Sequence, residues 1–326
     1  MNTTPSSIPR ISPAAASQGM PGPASLPGGR AVVLGGGGST GNAWLIGVVA
    51  GLHEAGLDVT GADVTIGTSA GSTAAAQLAG TTPAELLEAV LTAAPPPRTW
   101  PRSGPAGPGA PGVGRPANGL AADYMAQTQA LIDAAVDAAD MRRRMGEAAL
   151  GRAASSDGAA QARWRTTVAA RLPGTQWPQR CLLITAVNAH TGEPAVFDRD
   201  SGVDIVDAVA ASCSSGFAYT IGGQAYIDGG YRRNENADLA AGCGRVLVLS
   251  PFGGRTRHPA EWGMQLAAQV EELRSAGSRV ETVFPDSGSG HIFGANAMDL
   301  SLRPAAARAG YGQGKALAGR LAEFWG

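Results

Sequence analysis

Short, uninterrupted apolar runs alternate along this chain with longer segments whose apolar residues recur at helical spacing. Ala31-Val32-Val33-Leu34 ends abruptly in four glycines, the pattern of a strand buried on both faces. Over 42–55, Leu45, Val48, Val49 and Leu52 fall on one helical face, and Gly56 suits the end of such a helix. Val64-Thr65-Ile66 reads as the next strand; a helix follows to about Leu78, and Pro83 opens another that ends near Ala94. Further strands are predicted over 181–187, 195–197, 225–227, 245–249 and 279–284, with His190-Thr191-Gly192-Glu193 as a hairpin turn. Helices are predicted over 203–211, 259–276 and 304–324. This alternation builds an α/β fold, a three-layer sandwich whose mainly parallel central sheet carries helices on both faces.

Two segments break the alternation. Residues 1–29 are rich in Ser, Pro and Ala and read as a disordered N-terminal arm, which starts the ordered domain at Arg30 and runs it to residue 326. Residues 95–118 are rich in Pro and Gly, and 120–170 are Ala-rich and helical in character. Together, 95–175 reads as an inserted loop plus helical cap beside the sheet. The run Arg142-Arg143-Arg144 is expected on a solvated helix face.

Composition narrows the function classes. A net charge of -1 gives no electrostatic footprint for a nucleic-acid partner. Cys181, Cys213 and Cys243 are widely spaced and match neither a disulfide framework nor a metal site, so no metal and no cofactor is expected. The N-terminal stretch lacks the basic and apolar regions of a signal peptide, and no apolar run is long enough to span a bilayer. A cytoplasmic protein is expected, with at most transient contact with a membrane surface.

Three motifs then fall at predicted strand ends, where α/β sheets collect their sites. The first is Gly35-Gly36-Gly37-Gly38-Ser39-Thr40-Gly41, whose exposed backbone N–H groups could receive a phosphate or an oxyanion. Its Gly36-x-Gly38-x-x-Gly41 spacing also fits a dinucleotide fingerprint, with Asp58 or Asp63 as ribose ligand. A P-loop fits less well, because Asn42 stands where the lysine belongs. The second is Gly67-Thr68-Ser69-Ala70-Gly71 between a strand and a helix, the context of a nucleophile elbow. The third is Asp228-Gly229-Gly230, which suits a general base with clear access but taken alone reads first as an ordinary Asp-Gly turn. His291 could complete a triad in the order Ser69, Asp228, His291, whereas His53, His190 and His258 read as surface residues. Cys213 reads as a buried structural thiol. Trp100, Trp164 and Trp177 could line an acyl pocket or pack the cap.

Taken in order, a glycine-rich loop, a Gly-x-Ser-x-Gly elbow and a distant Asp-Gly-Gly resemble the patatin-like phospholipases. The resemblance covers about 30–91 and 180–236. It implies a Ser-Asp dyad without histidine, with Ser69 as nucleophile and Asp228 as base. It also implies an oxyanion hole from the N–H groups of Gly36, Gly37 and Gly38, joined by that of Ala70. The implied substrate is an acyl ester or thioester, a lipid on family grounds, cleaved through an acyl-enzyme. An acyltransferase or thioesterase of small-molecule biosynthesis, a nucleotide-binding protein and a non-catalytic scaffold are the alternatives. The chemistry requires that burial raise the carboxyl pKa of Asp228, since an ordinary carboxylate is a weak base at neutral pH. Thr40 stands where the family's glycine loop carries Arg or Lys, and Ala211–Phe217 lacks the family's proline.

Overall fold

The computed structural model describes residues 26–94, 117–154 and 159–326. Eight strands form one sheet: β1 (Leu26–Leu34), β2 (Val64–Gly67), β3 (Cys181–Asn188), β4 (Pro194–Phe197), β5 (Tyr219–Ile221), β6 (Gln224–Asp228), β7 (Cys243–Leu249) and β8 (Arg279–Val283). They are hydrogen-bonded in the order β5-β6-β3-β2-β1-β7-β8, with β4 also on β3. β3, β2, β1, β7 and β8 run parallel, while β4, β5 and β6 are antiparallel to their partners.

The continuous apolar runs have the cause that was expected of them, burial on both faces. Val32, Leu34, Leu182, Ile184, Leu247 and Leu249 face one helical layer. That layer contains α1 (Gly38–Glu54), α2 (Ala70–Leu78), α3 (Pro83–Thr92), α7 (Ile205–Ser212) and α9 (Arg303–Trp325). Ala31, Val33, Val64, Ile66, Leu183, Val246 and Val248 face the other, where Leu266, Val270 and Leu273 of α8 (Leu266–Ser275) cover them. Three helices lie between α3 and β3 in the chain: α4 (Ala117–Asp133), α5 (Ala138–Ala154) and α6 (Ala159–Ala169). Met141 and Met145 of α5 pack on Val187 and Ile227, and Trp164 of α6 packs edge-on against Phe217 beside α7.

Helices α1 and α9 cross at backbone distance. A Cβ on Gly47 or Gly51 of α1, or on Gly310 or Gly314 of α9, would enter the other helix's backbone. The C-terminal helix is thereby fixed to the helix that follows the glycine loop.

Several boundaries depart from the expected ones. β1 begins at Leu26, four residues before Arg30, because Leu26 pairs with Cys243 and a left-handed Gly28 lets the strand shift register. β5 escaped the pattern because only Tyr219-Thr220-Ile221 carries it, ahead of a Gly222-Gly223 hairpin turn. The helix expected over 259–276 is a single 3-10 turn, Ala260–Trp262, stopped at left-handed Gly263, and α8 starts only at Leu266. Residues 1–25 and the Pro/Gly-rich stretch 95–116, with Trp100, lie outside the described residues. Among those described, no helix is long and apolar enough to cross a membrane.

One detail of register positions the site. Ile184 of β3 pairs with Gly67 of β2 on one side and with Phe197 of β4 on the other. Two residues on, Ala186 pairs with Ala195 of β4 and Asp228 of β6. Since β4 keeps to one edge of β3, β6 takes the edge that β2 has just vacated. β2 and β6 therefore run toward each other and stop head to head, at Gly67 and Asp228.

Candidate active site

Ser69 follows β2 and stands as the N-cap of α2 with φ 52° and ψ -117°, a left-handed conformation for a non-glycine residue. Such a backbone costs on the order of 1–3 kcal/mol and persists only where surrounding contacts over-determine it. Those contacts are present. The Ser69 N–H donates to Ser212 Oγ at 2.9 Å, and its carbonyl accepts from Ser72 Oγ at 2.6 Å and Cys213 Sγ at 3.1 Å. The flanking glycines have a steric reason. A Cβ on Gly67 would sit 2.6 Å from Ser72 Cα, and one on Gly71 would enter the Leu34 carbonyl. Only glycine lets β1, β2 and α2 approach this closely.

Asp228 arrives from the opposite direction at the end of β6. Ser69 Oγ donates to Asp228 Oδ2 at 2.7 Å, and the Gly230 N–H donates to Oδ1 at 2.8 Å. The carboxyl is 7 % exposed, and burial pushes its pKa up to about 6 against the pull of these two hydrogen bonds. The backbone behind it is close-packed as well, since a Cβ on Gly229 would strike Thr185. Left-handed Asn236 ties the pieces together, its Nδ2 donating to Thr68 Oγ1 at 3.0 Å and to the Gly229 carbonyl at 3.2 Å. Thr68 immediately precedes the serine, and Gly229 immediately follows the aspartate.

The glycine loop leaves the end of β1 toward the same place. Here the expected donor set needs correction. The Gly36 N–H is bonded to the Asn234 carbonyl at 3.0 Å, so Gly36 has no free donor for an oxyanion. Gly35 and Thr40 are also committed, to the carbonyls of Leu249 and Ala297. Among the described residues, the N–H groups of Gly37, Gly38 and Ala70 have no partner. Gly38 and Ala70 are the first residues of α1 and α2, where N–H groups are unpaired by construction. Thr40 brings no charge to this loop, and a cation from another element touches its neighbours. Arg303 of α9 donates to the Ser39 carbonyl at 2.8 Å and to Asn42 Oδ1 at 3.1 Å.

The other candidates separate. His291 is exposed on a 3-10 turn, Ser287–Ile292, and no imidazole stands between Ser69 and Asp228. His258 is not a surface residue: it is half-buried, stacked on Trp262 and hydrogen-bonded to Thr256, and burial pushes its pKa down to about 4. Cys213 lies beside Ser69, yet burial pushes its thiol up to about 11, so it stays protonated and inert. Trp164 and Trp177 donate to the carbonyls of Ala210 and Val203, which makes them packing residues around α7. Arg142 turns inward to the Gly192 carbonyl and is half-buried, in contrast to exposed Arg143. Asp63 and Asp58 precede β2, at the end of the sheet away from the glycine loop, so neither can serve a nucleotide held there. Ser212, Asn234 and Asn236 were missed. The signal available for the last two was their closeness to Asp228-Gly229-Gly230.

A strained serine bonded to a buried carboxylate, at the carboxyl edge of a three-layer α/β sheet, is an arrangement suited to acyl transfer. The family model for patatin-like phospholipase matches residues 32–241, and the chain belongs to that family. Lipid acyl hydrolysis is the activity of the family, and a lipid or other ester is the corresponding class of substrate. Among curated proteins no match to this chain is found.

Proposed function

We propose that this protein is a serine acyl hydrolase that works through a Ser69–Asp228 dyad. The observation that carries the reading is the 2.7 Å hydrogen bond from Ser69 Oγ to Asp228 Oδ2, made by a serine held in a strained elbow. A general base must lie within about 2.6–3.2 Å of the proton it takes, with a pKa near the working pH. Asp228 meets both conditions.

Asp228 takes the hydroxyl proton as Ser69 Oγ attacks the acyl carbon. The carbonyl oxygen becomes an oxyanion and is received by the N–H groups of Gly37, Gly38 and Ala70, with the α1 and α2 dipoles behind them. Protonated Asp228 returns the proton to the leaving oxygen, and an acyl-Ser69 ester remains. Water attacks that ester with Asp228 again as base, which releases the acid and restores the serine. A histidine is unnecessary because burial has already brought the carboxyl toward neutrality. Arg303 places a cation at the start of α1 and keeps substrates with anionic head groups within the range of this site.

The test is a fluorophosphonate probe followed by esters of graded chain length. Labelling and turnover are expected in the native protein and absent in Ser69→Ala. Turnover that survives in Ser69→Ala rejects the dyad.

A further inference from the structure

We propose that Asn234, aligned by the buried carboxylate of Glu235, is a positioning residue that locks the Gly36–Gly37 peptide with its N–H turned toward the substrate. The inference rests on the hydrolase reading above and adds what makes its oxyanion loop point the right way.

Asn234 grips Gly36 from both sides. Its carbonyl accepts the Gly36 N–H at 3.0 Å, and its side-chain Nδ2 donates to the Gly36 carbonyl at 3.2 Å. In a trans peptide the C=O of one residue and the N–H of the next point in opposite directions. Holding the Gly36 carbonyl on Asn234 therefore turns the Gly37 N–H away from Asn234. Rotating this peptide by half a turn would bring a carbonyl oxygen to the hole in place of a donor and erase its positive potential. A run of four glycines has little intrinsic preference between the two orientations. Something outside the loop has to choose.

The choice depends on which end of the Asn234 amide faces the loop. An asparagine can present either a donor or an acceptor, and its neighbours decide which. Glu235 decides it here. Its carboxylate is 1 % exposed and accepts from Asn234 Nδ2 at 2.9 Å and from Ser250 Oγ at 2.7 Å. Ser250 is itself fixed as a donor toward Glu235, because its oxygen accepts the Gly254 N–H at 2.9 Å. Glu235 Oε1 is the acceptor of both bonds, so it holds Nδ2 on its own side and Oδ1 away. Donation thus converges on Glu235 Oε1 from Ser250 and from Asn234 Nδ2, and Nδ2 also donates to the Gly36 carbonyl. Gly35 packs against this chain, its Cβ position 3.2 Å from Glu235 Cγ, so the loop has no room to slide off it.

The decisive variant is Asn234→Asp, which keeps the shape and removes the donor. A loss of about 10²-fold in kcat with KM within about 3-fold is expected, the signature of a lost oxyanion contact. An alkyl boronic acid, which forms a tetrahedral adduct on serine, is expected to weaken by a similar factor. Glu235→Leu should reproduce the loss, and Glu235→Gln, which keeps an acceptor at Oε1, should recover most of it. A purely structural role would lower Tm in all of these variants without the split between kcat and KM. Asn234→Asp with kcat within about 3-fold of the native protein, while Ser69→Ala is inactive, overturns the inference and leaves the hydrolase reading standing. If Ser69→Ala retains activity, that reading fails, and the inference is judged on the peptide alone in a crystal structure of Asn234→Asp. A Gly36 carbonyl turned away from residue 234 supports it; an unmoved carbonyl overturns it.

Discussion

The two edges of the central sheet carry similar residues and put them to different uses. At the carboxyl edge, Asp228 ends a strand, is buried and is bonded to a strained serine. At the amino edge, Asp63 precedes a strand, is exposed and caps the Arg30 N–H at 2.8 Å. Glycines divide in the same way. A Cβ on Gly71 would collide with the Leu34 carbonyl, whereas one on Gly61 would make only ordinary contacts, the nearest at 3.8 Å from Asp58. Concavity does not mark the chemistry either. A cavity of about 360 Å³ lies between Val32, Leu182, Thr60 and Arg180, and neither Ser69 nor Asp228 lines it. The lesson is that a strand-end carboxylate takes its environment from what meets it. Only at the carboxyl edge do β2 and β6 end face to face.

The largest effect that can break this contrast is on turnover. Ser69→Ala and Asp228→Asn are expected to lower kcat by about 10⁴-fold or more, as members of one catalytic unit, with the fold retained by circular dichroism. Asp63→Asn should leave ester turnover unchanged in the same assay. If Asp63→Asn matched Asp228→Asn, the division between the edges would be wrong.

Packing gives the next contrast. Gly71→Ala forces a methyl into the Leu34 carbonyl and should cost more than about 3 kcal/mol in chemical denaturation. Gly61→Ala should stay within about 0.5 kcal/mol.

If Asp228 is the base of the proposed dyad, its burial links activity to pH. The folded carboxyl titrates at about 6 against an ordinary value of 3.8, so the folded state holds the extra proton between these limits. Stability therefore falls as pH rises through this window, by about 3 kcal/mol for the whole shift. Activity should rise around the upper limit of this window, as the base ionises near pH 6. Glu235, also raised by burial, adds to the stability trend with the same sign. Asp228→Asn should flatten the stability profile in proportion to its share; an unchanged profile would show that Asp228 is not the titrating group.

The smallest effect concerns strain. Ser69→Gly should abolish activity yet raise stability by about 1 kcal/mol, because glycine adopts a positive φ without cost. A lower Tm in that variant would mean that the hydroxyl contributes more to the fold than the backbone strain takes away.

How much of this was readable follows from the range over which each signal acts. Val32-Val33-Leu34 and Val64-Thr65-Ile66 fixed their strands through local pattern, and Gly67-Thr68-Ser69-Ala70-Gly71 announced an elbow through local sterics. The antiparallel direction of β6 was not readable, since nothing in Ala225-Tyr226-Ile227 states which neighbour it meets. Gly36 was misread as a donor for the same reason: its partner, Asn234, lies 198 residues away.

By itself, then, the sequence determined the alternation of strands and helices, the glycines at the elbow, and the serine and aspartate available for chemistry. These depend on periodicity and on conformations that few residues can adopt. Only the tertiary structure decided that β6 stops opposite β2, that Asp228 loses its water, and which glycine amides remain free. These are outcomes of pairing and burial between segments far apart in the chain, and no local pattern encodes a desolvation.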